Sequence, residues 1–185
     1  MENGTSIAAV VRAIDRLNER VGNAVSWVTL ALVLTTFAVA VLRYGFELGW
    51  VWLQELYVWM HGTVFTVCAA YTLLHDGHVR VDIFYRTGSD RFRAWVNLLG
   101  TAFLLMPMLG VIWWTSYPYV KLSWQRLEDS PEAGGMHGLF VFKSMILVFC
   151  VLLALQGLAL MIRSAYALCQ RPDPDDVPDQ GQTGM

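Results

Sequence analysis

The stretch YTLLHDGHVRVDIFY, residues 71–85, sets His75, Asp76, His78, Arg80 and Asp82 directly after a long apolar run. Side chains of these types bind metal ions or relay protons. His75 and His78 at i, i+3 with Asp82 form at most an incomplete ligand set of generic spacing, so no metal site is assigned. The other residues with chemistry to offer, Gln54, Glu55, His61, Asn97, Lys143 and Gln156, are scattered at different depths over three apolar runs. No nucleophile motif, phosphate loop or zinc-protease signature is present. Cys68, Cys150 and Cys169 stand far apart without a C-x-x-C, as packing residues do. The reading is of a protein that is not an enzyme and holds no cofactor.

The elements that must position these residues follow from composition. Of 185 residues, 56% are hydrophobic and only 15% charged, where a soluble domain carries roughly 25% charged residues. The charges leave four apolar runs nearly empty, at 24–42, 51–74, 94–118 and 139–162. Each has about the 20 residues that carry a helix across a bilayer, and helices satisfy their own backbone groups in lipid. The fold class expected is an all-α integral membrane protein with four transmembrane helices. Ahead of the first, Ile7, Val10, Val11, Ile14, Leu17 and Val21 make one apolar stripe among Arg12, Asp15, Arg16, Glu19 and Arg20. Residues 1–23 therefore predict an amphipathic helix lying on the membrane surface. Residues 164–185, rich in Pro, Asp and Gly, predict a disordered tail.

Lys and Arg set the orientation. Arg12, Arg16, Arg20, Arg80, Arg86, Arg91, Arg93, Arg163 and Arg171 fall on one side, against Arg43, Lys121 and Arg126 on the other. The positive-inside bias puts both termini in the cytoplasm. His78, Arg80 and Asp82 then cap the second span at the inner headgroups. Glu55 and Lys143 enter their spans at matching depths from the outer side, which predicts a Glu55–Lys143 pair or a shared polar network. His61, deeper in the second span, is expected to hydrogen-bond between helices. Gly62, Thr66 and Ala70 continue the Glu55 face, and Cys150, Ala154, Gln156 and Gly157 lie along the fourth span beyond Lys143. Small residues on these faces let helices approach closely. Pro107 is expected to bend the third span. The outer loop 119–138, carrying Trp124, Arg126, Glu128, Asp129, Ser130 and Glu132, is the candidate contact surface for another protein.

Taken together, RYGFELGWVWLQELYVWMHG, AAYTLLHDGHVRVDIFY and SWQRLEDSPEAGG followed by Lys143 and LALQGL resemble the small membrane subunit (DctQ-like) of tripartite ATP-independent periplasmic, or TRAP, transporters. The form of WLQEL, DGHVRVDIFY and Glu128-Asp129-Ser130 is similar to the branch labelled mannitol/chloroaromatic compound type. The resemblance implies an inner-membrane scaffold in a sodium-driven importer of organic acids. The partners it implies are the large TRAP membrane subunit, a periplasmic substrate-binding protein and membrane lipids, with no nucleic acid. The residues that match are Trp52, Glu55, Gly77, His78, Arg80, Asp82, Ser123, Trp124, Glu128, Ser130, Gly135 and Lys143, with structural roles. His137 departs from the Gly-Leu-Pro of many relatives. A haem or quinone-linked four-helix anchor of a redox enzyme is the alternative. It lacks a second mid-membrane histidine to pair with His61.

Overall fold

A computed structural model describes residues 2–78, 85 and 88–169. Arg80 and Asp82, and the tail from residue 170 onward, lie outside the described residues. Among the described residues the chain is all-α, with four helices long and apolar enough to cross a membrane: α1 (Glu2–Phe46), α2 (Val51–Leu74), α3 (Asp90–Arg126) and α4 (Leu139–Cys169).

The expected surface helix over 1–23 is not a separate element, because α1 runs unbroken from Glu2 to Phe46. Nothing in Asn18–Leu30 interrupts a helix once it has begun. Gly22, the weak point, is where α2 closes in: a Cβ there would lie 2.1 Å from Cδ2 of Tyr71. At about 1.5 Å per residue the 45 residues of α1 extend roughly 68 Å, more than twice the ~30 Å hydrocarbon core. α1 ends where Glu47 turns left-handed (φ 56°) and the Leu48 N–H reaches back to the Leu42 carbonyl.

α2 has the bounds its apolar run predicts. His75, Asp76 and Gly77 stop it as a helix cap, with His78 beyond them: Asp76 is left-handed (φ 57°) and the Gly77 N–H bonds the Thr72 carbonyl at 2.9 Å. α3 starts at Ser89, whose hydroxyl accepts from the Phe92 N–H, and passes through a π-helical turn at Thr101–Leu105. Pro107, which has no N–H to give, follows that turn; the Met106 N–H reaches five residues back to Thr101. α4 continues past residue 162 to Cys169, so the first residues of the expected tail are helical, and Ser164 is buried.

α4 is the hub: it packs on α1, α2 and α3, while α1 and α2 also pack on each other. A third of its most apolar stretch is buried, against 6–11% in the other three. The core is correspondingly small, formed by Val25, Val67, Ala70, Leu109, Cys150, Leu152 and Leu153. Close approach is built on glycines. A Cβ at Gly62 of α2 would meet the Phe142 ring at 2.6 Å, and one at Gly157 of α4 would press on Met106, Leu105 and Thr101 at 3.0–3.3 Å. The expected small-residue faces are thus where α2 meets α4 and where the π turn of α3 meets α4.

Candidate functional site

Residues 119–126 of the expected outer loop, Trp124 and Arg126 among them, are the last turns of α3; the loop proper, residues 127–138, is fixed by side chains that point three ways from consecutive positions. Leu127 leaves α3 in the left-handed region (φ 45°), and the Glu128 N–H closes the helix on the Ser123 carbonyl at 3.1 Å. The Glu128 carboxylate then accepts from Lys143 Nζ of α4 at 2.5 Å. Asp129 turns back into the loop, accepting from the Gly138 N–H at 2.9 Å and pairing with His137 Nδ1 at 2.7 Å. The Ser130 hydroxyl donates to Glu55 of α2, whose other oxygen accepts the Met136 N–H at 2.6 Å. Gly135 must lack a side chain, since a Cβ would stand 2.5 Å from Ser130 Oγ and 2.8 Å from Glu55 Oε2. Trp124 adds a further tie, its indole N–H donating to Ser144 Oγ at 2.7 Å and its ring edge meeting Phe140.

Glu55 and Lys143 are therefore not partners. Each finds its own partner in the same loop, Ser130 and Met136 for Glu55 and Glu128 for Lys143, and the two join through it as a network. Lys143 also sits 4.2 Å over the Tyr119 ring. The Lys143 hydrogen bond holds the Glu128 carboxyl below the usual carboxylate range, and the nearby Arg126 guanidinium adds to it. Asp129 is likewise lowered, first by His137 and then by the Gly138 N–H, and His137 is raised by Asp129. The residue that departs from Gly-Leu-Pro thus supplies the loop with an ion pair.

At the opposite end of the bundle lies a second polar group that the sequence reading did not assemble. Gln156, almost fully buried on α4, accepts from Asn18 of α1 at 2.7 Å and donates to Asp15 at 3.3 Å. Asp15 also takes Arg163. Only Gln156 stood out beforehand, because Asp15, Asn18 and Arg163 are lost among the charges flanking the spans. Beside them Glu19 pairs with His75 at 2.7 Å. His78 is exposed beyond the α2 cap. Asn97, in α3, donates to the Tyr85 hydroxyl at 2.9 Å.

Within this chain the hydrogen bond expected of His61 to another helix is not made among the described residues. His61 is exposed on the outer side of α2, in a groove against α1 lined by Leu32, Val33, Phe37, Tyr57 and Val58, where no other histidine stands. Among the described residues no three His, Cys, Asp or Glu side chains converge as metal ligands would.

These arrangements hold helices and a loop together and contain no reacting centre. No curated protein and no solved structure matches the chain significantly. Residues 32–166, however, match the family of DctQ components of the tripartite ATP-independent periplasmic transporters. That match takes in the whole loop network, α2, α3 and nearly all of α4, so the chain belongs to the DctQ family and is a membrane component of a transporter, not an enzyme.

Proposed function

We propose that this chain is the small-subunit scaffold of a TRAP transporter, a fixed frame beside the large subunit that moves substrate, and that loop 127–138 is the surface on which the periplasmic binding protein lands. The observation that carries the reading is the Glu128-Asp129-Ser130 string, which ties α4, the loop's own return and α2 together from adjacent positions. A loop anchored this way presents a shaped surface, where a solvated loop of the same charge would not. The orientation follows from the arginine distribution: both termini cytoplasmic, the loop periplasmic, with the charged first half of α1 against the end of α4 on the inner side. Sodium coupling and organic acid uptake come with the large subunit and binding protein. The WLQEL and DGHVRVDIFY motifs support the mannitol/chloroaromatic branch, whose label does not name the acid.

The residue to test is Glu132, which is exposed and whose carboxylate enters none of the loop's ties. In vesicles holding both membrane subunits, Glu132→Lys is expected to raise the binding-protein concentration needed for half-maximal uptake, severalfold, with the maximal rate unchanged. An unaltered concentration dependence removes the loop from docking. Glu128 and Asp129 are poorer probes, because changing them loosens the loop itself.

A further inference from the structure

His61 is the eleventh residue of α2, which starts at Val51. It lies about 15 Å along a helix that has ~30 Å of hydrocarbon to cross, so headgroups at neither surface are within its reach. Its imidazole is exposed and has no hydrogen-bond or ring partner among the described residues. Thr36, across the groove, has already given its hydroxyl to the Leu32 carbonyl at 2.8 Å. Lipid tails cannot satisfy a donor and acceptor at that depth, and a free imidazole there opposes insertion. The surrounding groove is about 600 Å³ and mostly apolar, with the hydroxyls of Thr36 and Tyr57 as its other polar groups. Its α1 wall continues outward as Leu30, Val33, Leu34, Phe37 and Val41, all exposed and spaced i, i+3, i+4, i+7, i+11, which is the face a packed helix needs.

We propose that this α1–α2 groove seats a transmembrane helix of the large TRAP subunit, and that this helix carries a polar side chain that hydrogen-bonds His61 at mid-membrane. The proposal rests on the small-subunit reading above and adds to it which face meets the partner and through which residue. Lipid alone fits the apolar walls but leaves the imidazole unpaired, and a lone polar residue inside an apolar contact is what fixes partner and register between membrane helices.

The test uses the chain expressed with its large subunit in native membranes, with a photo-crosslinking amino acid at Phe37, at Val58 or, as a control, at Trp114 on α3. Adducts to the large subunit from Phe37 and Val58 are expected. His61→Leu, which should fold because it removes a polar group from an exposed apolar face, is expected to reduce co-purified large subunit roughly threefold to thirtyfold, the range for one interhelical hydrogen bond in lipid. His61→Gln should retain most of it. If the large subunit co-purifies but Phe37 and Val58 give adducts only to lipid or to a second copy of this chain, or if His61→Leu binds as the native chain does, the groove proposal falls and the scaffold reading stands. Failure of the large subunit to co-purify with the native chain overturns both.

Discussion

Glu55 and Lys143 show how much a charge in a span depends on a partner that sequence order hides. Both residues stood out as ions costly to leave in lipid, and their matching depth predicted either a direct pair or a shared polar network. The loop supplies a nearer solution to both. The expected consequence is specific: Lys143→Glu lowers the melting temperature, Glu128→Lys added to it restores much of the loss, and Glu55→Lys added to it does not. Thermal unfolding in detergent distinguishes these outcomes. Glu55→Ala, which strips the Met136 N–H of its acceptor, should cost about 1–3 kcal/mol. The Asp129–His137 pair carries a pH dependence. His137 is raised, so its contribution is complete below the ordinary imidazole value of about 6.5 and is lost as pH climbs through the higher folded value. Asp129 is lowered, so its contribution is present above about 3.9 and is lost only as pH falls through its depressed value. The loop is tied best between those limits and loosens on the alkaline side. A His137 resonance titrating above 6.5, and falling toward it in Asp129→Asn, is the expected result; an unmoved midpoint would remove the pair from the account.

At the level of elements, the bounds of α2 coincide with its apolar run, 51–74, and the Asp-Gly shortly after Leu74 is a stop signal the sequence displays. The join within α1 was not legible. Periodicity registered a change from amphipathic to uniformly apolar, which is a change of surroundings, and a helix passes through such a change unless a residue breaks it. Gly22, the weakest helix former at that change, is the contact on which Tyr71 sits. Gly22→Val should therefore leave α1 helical but force α1 and α2 apart, destabilising the bundle by about 1–3 kcal/mol. The same change at Gly110, where an added Cβ meets nothing within 4 Å, should be mild by comparison. Equal effects at the two positions would mean that Gly22 acts through helix propensity and not through packing. The loop contacts were legible only in part. The residues that make them could be picked out, but which of them meet depends on chain folding over separations such as the 75 residues from Glu55 to Ser130.

For the whole molecule, α4 buries a third of its apolar stretch while the other helices leave most of theirs uncovered, open to lipid or to another membrane chain. The orientation can be tested on the native sequence. Cys169 is exposed at the end of α4, whereas Cys68 and Cys150 lie within their helices. With the termini inside, a membrane-impermeant maleimide should label Cys169 in inverted vesicles and not in intact spheroplasts; the reverse pattern would place the loop in the cytoplasm and exclude it as a landing surface. If that surface does receive the binding protein, the ties from Glu128, Asp129 and Ser130 have a kinetic consequence. A loop already held in shape has no slow ordering step ahead of capture, so the observed association rate should rise in proportion to binding-protein concentration without reaching a plateau. Differences among loop variants should then appear mainly in how long the complex lasts.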